Sequence, residues 1–264
     1  MLNNLRRNLC LLFVACVLAA AAHAEECPVP TGFVNKNTTI DGVTRKHVAY
    51  VPHDYDASKP WPLIVFLHGA GERGDDGLLQ TEVGLPEAIR RNPSRFPAIA
   101  VFPQCPADKF WDSILPELDA IIAQAESEYT IDPKRIYLTG LSMGGYGCWT
   151  WGADHVDKFA AILPICGGGV PEDMNRITAT LIDVAKFKSL KERVAALATV
   201  PVWAFHGKKD DVVPSFRSKQ MFRMIQRANG NVQYKEYEEE GHDVWNAVYG
   251  DEKIIQWMFE QRKP

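Results

Sequence analysis

The chain has 264 residues, 46% of them hydrophobic and 23% charged, with a formal net charge of −4. That length suits one domain with a large core, and the mildly acidic balance argues against nucleic acid as a partner, because phosphates would repel it. The cysteines lack the paired short spacings of a structural zinc site, and nothing in the sequence requires a metal or an organic cofactor.

The first element is a leader. Arg6 and Arg7 precede an apolar run over 9–22, and Ala22-His23-Ala24 offers the small-x-small pattern that signal peptidase cuts after. The run is short and alanine-rich for a membrane span, and no later apolar stretch is long enough to cross a bilayer. The expectation is a signal peptide over 1–24, one domain over 25–264, and a secreted or periplasmic protein without stable membrane insertion. Cys10 and Cys16 would leave with the leader. Cys27, Cys105, Cys148 and Cys166 would remain, an even set that an oxidising compartment permits to pair without fixing the pairing.

Beyond the leader, apolar strand-like runs alternate with helix-like segments, the pattern of a mostly parallel sheet covered on both faces. An early strand is predicted over 44–51. Residues 63–67 form a continuous apolar run ending in His68-Gly69, as a strand buried on both faces would. A strand over 99–102 is stopped by Pro103. Leu118, Ile121, Ile122 and Ala125 place one apolar face on a helix over 117–129. Asp132-Pro133 separates it from a strand over 135–139. Further strands are predicted over 159–165, 200–205 and 232–237, with helices over 215–228 and 251–261. The segment 171–199 reads as two short amphipathic helices that either cover the sheet or cap the site.

Between the strand at 135–139 and the helix-like stretch that follows it stands Gly140-Leu141-Ser142-Met143-Gly144. G-x-S-x-G in that context is a nucleophile elbow of the α/β-hydrolase type. The serine must sit on a tight turn with its hydroxyl above the sheet. Side chains two residues before and after would collide there, so both positions are glycine. Ser142 is therefore the predicted nucleophile.

In that fold the acid and then the base follow the serine along the chain. Only His242, in Glu240-Gly241-His242-Asp243, follows every candidate acid. The acid belongs in the loop after the strand at 200–205, where Asp210 and Asp211 are adjacent, and spacing alone does not choose between them. His68-Gly69-Ala70-Gly71 follows the first long apolar strand, where the fold places one backbone donor of the oxyanion hole. The other is the N–H after the nucleophile, which assigns Ala70 and Met143. His68 itself is expected to brace its loop.

Four stretches carry a family resemblance: Phe66-Leu67-His68-Gly69-Ala70-Gly71-Glu72-Arg73-Gly74, Gly140-Leu141-Ser142-Met143-Gly144-Gly145-Tyr146-Gly147, His206-Gly207-x-x-Asp210-x-x-Val213-Pro214 and Gly241-His242-Asp243-Val244-Trp245. In this order they resemble bacterial α/β-hydrolase esterases. That group stands near the feruloyl and acetylxylan esterases, the polyhydroxybutyrate depolymerase-like enzymes and the dienelactone hydrolases. The resemblance implies that Asp210 is the acid and that an aromatic residue near Pro103-Gln104-Cys105-Pro106 lines the pocket, while core packing is the expected role of Trp111 and Trp245. It also implies a serine esterase acting through an acyl-enzyme, on acyl groups of plant polysaccharides or on short-chain esters. The segment 171–199 is longer than in the group. A serine exopeptidase of the same fold and an inactive binding protein on a hydrolase scaffold are the competing readings.

Overall fold

The computed structural model of the protein describes residues 29–170 and 188–264. The leader over 1–24, Cys27 and most of the segment 171–199 therefore lie outside the described residues. Eight strands form one sheet in the order β1-β2-β4-β3-β5-β6-β7-β8. They are β1 (Gly32–Ile40), β2 (Val43–Val51), β3 (Trp61–Leu67), β4 (Ile99–Pro103), β5 (Ile131–Leu141), β6 (Ala161–Ile165), β7 (Val202–Gly207) and β8 (Val232–Tyr237). β1 and β2 pair antiparallel at one edge, while β3 to β8 run parallel. The mostly parallel sheet expected from the alternating pattern is thus present.

Both faces are covered, which is why the central strands are unbroken apolar runs rather than alternating ones. Leu63, Val65 and Leu67 of β3 face a cluster shared with α2 (Leu115–Glu128) and α3 (Met143–Asp154). Ile64 and Phe66 face a second cluster, shared with α1 (Leu85–Arg91) and with residues of two C-terminal helices introduced below. Helix α4 (Leu190–Leu197), capped by the Ser189 hydroxyl accepting from the Glu192 amide, packs against α3 and α5 (Phe216–Arg227), and α5 covers β7 and β8. The chain closes with α6 (Trp245–Gly250) and α7 (Glu252–Glu260). Among the described residues no helix is long and apolar enough to cross a membrane.

Several elements differ from the expectation, two of them informatively. α2 does end before Asp132-Pro133, but β5 already begins at Ile131 and carries that dipeptide through a register shift against β3. Arg135 and Arg262 bind Asp132 there, at 2.7 Å each, so the irregular start is held by charge. β1 was not anticipated. Its sequence, GFVNKNTTI, puts polar residues on both faces and follows no two-residue period, as an edge strand can. With the parallel strands aligned, the loops after β3, β5, β6, β7 and β8 all open at the same end of the sheet, where ligands bind in folds of this kind.

Candidate active site

The turn from β5 into α3 is extremely close-packed. Ser142 adopts φ 52° and ψ −117°, a left-handed conformation that a non-glycine residue holds only under constraint. A Cβ on Gly144 would lie 1.9 Å from the Leu67 carbonyl oxygen, and one on Gly140 would lie 2.7 Å from the carbonyl oxygens of Leu67 and Gly144. No side chain fits at either position, which is the physical content of the motif. The Ser142 amide donates to the Ile165 carbonyl at 3.0 Å and approaches Cys166 Sγ at 3.3 Å, so the end of β6 holds the turn from the other side.

The structure brings Ser142, His242 and Asp210 together. Ser142 Oγ stands 2.9 Å from His242 Nε2, and His242 Nδ1 stands 2.8 Å from Asp210 Oδ2. Asp210 Oδ1 accepts the amides of Val212 and Val213 at 2.9 and 2.8 Å. Burial disfavours the Asp210 carboxylate, but hydrogen bonds from His206, His242 and the Val213 amide outweigh it and hold the group well below the usual carboxylate range. Asp211 is exposed and takes no part. Of the two adjacent aspartates, it is Asp210 that meets His242. The ring of Trp245 lies edge-on to His242 with centroids 5.6 Å apart, limiting the tilt of the imidazole. Gly207 permits the meeting of the two loops, since a Cβ there would sit 2.1 Å from the Gly241 carbonyl oxygen.

Ala70 opens a short 3-10 turn, Ala70–Glu72, and Met143 opens α3. As first residues of helical segments, both carry N–H groups that have no intrahelical acceptor. The loop holding Ala70 runs beside the serine, for a Cβ on Gly69 would lie 3.6 Å from Ser142 Cβ. Glu72 turns back to accept the Gly69 amide at 2.9 Å, and its burial raises its pKa. His68 braces the same loop from beneath. Its Nδ1–H donates to the Gly69 carbonyl at 2.6 Å, and Nε2 accepts the Cys105 amide at 2.9 Å. Burial pushes this imidazole down to about 3, so it is a neutral strut.

Trp111 is buried in the core, as expected of it. It donates from Nε1 to the His68 carbonyl at 3.1 Å and packs edge-on to the His68 ring. Cys105, Cys148 and Cys166 are buried free thiols, and among the described residues they form no disulfide with one another. Cys166 Sγ lies within 4.8 Å of donor atoms of Asp210 and His242. Those two side chains are already bonded to each other, and the sulfur faces the Ser142 amide, so the cluster's donors are spent within the protein. Sequence reasoning gave no role in the site to Glu72, Cys166, His206 or Ser218. The His206-Gly207-x-x-Asp210 spacing was the available signal for His206.

A sequence profile described as the prolyl oligopeptidase family matches residues 115–263, which include Ser142, Asp210 and His242. The chain is 27% identical over 170 residues to a protein of Aspergillus niger named "Probable feruloyl esterase C", covering 60% of this chain and 61% of the relative. A solved structure described as a thermostable esterase is 33% identical, with a TM-score of 0.73 over 88% of this chain and 63% of the other. The feruloyl esterase module of Clostridium thermocellum, solved as a mutant with sinapinate, shares 19% identity and a TM-score of 0.65 over 89% and 90% of the two chains, a likeness of fold. The match thus spans about three fifths of the first two proteins' own lengths.

Proposed function

The chain belongs to the prolyl oligopeptidase family, and from that premise and the geometry at Ser142 we propose that it is a serine hydrolase of carboxylic esters. The observation that carries this reading is the continuous hydrogen-bonded line from Ser142 Oγ through His242 to Asp210. His242 takes the Ser142 proton as the alkoxide adds to the ester carbonyl. Asp210 holds the Nδ1–H tautomer and stabilises the imidazolium. The developing oxyanion is received by the backbone N–H groups of Ala70 and Met143, each worth about 3 kcal/mol of transition-state stabilisation. The imidazolium returns its proton to the leaving alcohol, leaving an acyl-enzyme. Water deprotonated by His242 then releases the acid and restores Ser142.

The relatives named as feruloyl and acetylxylan esterases support plant-polymer acyl groups as the substrate class, with simple short-chain esters as the nearest alternative. The leader over 1–24 supports action outside the cytoplasm, and the N-terminal sequence of the protein recovered from its host would test cleavage after Ala24. A second reading, hydrolysis of peptide bonds at a chain end, is favoured by the family match itself.

The test is a panel given to wild type and Ser142→Ala: p-nitrophenyl acetate, butyrate and laurate, methyl ferulate, acetylxylan and an aminoacyl anilide. The expected result is ester turnover that falls by about 10⁵-fold or more in Ser142→Ala while the circular dichroism stays unchanged. Turnover of the anilide alone would replace the esterase reading with the peptidase one. No turnover, with a serine inert to fluorophosphonate, would leave a binding scaffold.

A further inference from the structure

His206 and Gly207 open the His206-Gly207-x-x-Asp210 motif, yet the proton line from Ser142 uses only Asp210. His206 is fully buried at the end of β7. Its Nδ1 lies 2.7 Å from the Ser218 hydroxyl on α5, and that hydroxyl donates to the Gly167 carbonyl at 2.7 Å. A hydroxyl has one proton, so Ser218 faces Nδ1 with a lone pair and the ring nitrogen brings the hydrogen. On the other side, Nε2 lies 2.8 Å from the Val213 carbonyl and 3.1 Å from Asp210 Oδ2. A carbonyl cannot donate, and Asp210 is an ionised acceptor with three other donors on it. Every polar neighbour of this ring among the described residues is therefore placed to accept, an arrangement that a ring with hydrogen on both nitrogens would satisfy. A buried cation needs a paired anion, and the Asp210 carboxylate is in place.

We propose that His206 is a positioning residue of this site: a buried imidazolium that clamps Asp210 beside His242 and cancels part of its negative charge, which tunes how readily His242 serves as the base. The inference rests on the Ser142 reading for its kinetic consequence, and on hydrogen-bond geometry alone for the state of the ring.

Among the described residues, these charged and titratable groups stand around the pair. Glu236 of β8 stands opposite His206 in register and is paired with Lys219 of α5 at 3.4 Å. Asp243 follows His242 in the chain. Cys166 faces Asp210 from the end of β6, and burial raises its thiol far above the usual range, so it stays neutral. Lys208 and Lys209 form ion pairs with Glu238 and Glu239 at the surface. Asp210 links the two rings, contacting His242 at 2.8 Å and His206 at 3.1 Å. Removing the cation leaves Asp210 uncompensated and makes protonation of His242 easier.

Two measurements on the full chain test this. Long-range proton–nitrogen correlation of the histidine rings, with His206 assigned by the loss of its signals in His206→Gln, is expected to show two N–H nitrogens on that ring in mildly alkaline solution. A single N–H there would overturn the proposal, whatever the protein hydrolyses. The acid limb of kcat/KM for p-nitrophenyl acetate is expected to move to higher pH by about one unit in His206→Gln. It should move in the same direction, by less, in Ser218→Ala, where Nδ1 loses its acceptor and the ring can shed a proton. A uniform loss of kcat across pH with an unmoved limb in both variants would reduce His206 to a packing residue and sink the proposal. Absence of Ser142-dependent turnover in wild type would instead remove the hydrolase reading and leave the spectroscopic result to decide on the ring.

Discussion

The loops after β3 and β7 are both braced by a fully buried histidine, and the two braces are chemically opposite. His68 stands between a carbonyl and an amide, so one nitrogen donates, the other accepts, and the ring is neutral. His206 stands between a hydroxyl spent elsewhere, a carbonyl and a carboxylate, all acceptors. The first loop presents a backbone N–H, and a neutral strut leaves the field at that donor undisturbed. The second presents a carboxylate, and a charged strut offsets it. Both rings are fully buried, so the difference between them lies in the hydrogen-bond roles of their neighbours.

Asp210 gives the largest way to break that comparison. Asp210→Asn removes the anion both histidines share, and kcat is expected to fall by about 10⁴-fold as His242 loses its tautomer. Asp211→Asn, at an exposed position, should change stability by no more than about 0.5 kcal/mol and leave turnover near wild type. Steady-state kinetics of the two asparagine variants decides it. A reversed pattern would move the acid to Asp211. Next in size is His68→Phe, which leaves the Gly69 carbonyl and the Cys105 amide unpartnered beneath the oxyanion loop. Here kcat should drop by about 10²-fold with little change in KM and no movement of the acid limb. A shifted limb would mean that His68, too, acts through charge, and the contrast with His206 would fail.

The chemistry-bearing positions were legible because they rest on local constraints. Gly140 and Gly144 announce the elbow, since no side chain fits beside the Leu67 carbonyl, and chain order alone singled out His242. The central strands were readable because burial on both faces makes them continuous apolar runs, and β8 was placed to the residue at Val232–Tyr237. β1 was not readable, for an edge strand with polar residues on both faces carries no period. The roles of His206 and Ser218 were also out of reach. Ser218 acts through the Gly167 carbonyl, 51 residues away along the chain, and no local pattern records a contact brought about by tertiary packing. Asp210 and Asp211 differ by one residue in sequence and entirely in burial, so only the turn of the loop, fixed by the Val212 and Val213 amides, separates them.

The smallest expected effect concerns stability rather than turnover, and it extends the contrast to a third buried histidine. His47, on β2, is pushed down to about 4 chiefly by burial, and its Nδ1 is a buried nitrogen without a hydrogen-bond partner. Its folded-state pKa lies below the unfolded value of about 6.5, so the unfolded chain binds more protons between those two values. Stability is therefore unaffected above pH 6.5 and declines as pH falls through the window toward 4. At pH 5 the linkage amounts to about 2 kcal/mol for a group shifted this far. His68, pushed down to about 3, adds a loss of the same sign that continues to lower pH. Urea unfolding of wild type and His47→Gln at pH 8 and pH 5 measures the difference: the variant should lose about 2 kcal/mol less than wild type between the two conditions. Equal losses would mean that His47 is protonated inside the fold, and that an unpartnered ring nitrogen alone does not keep a buried histidine neutral.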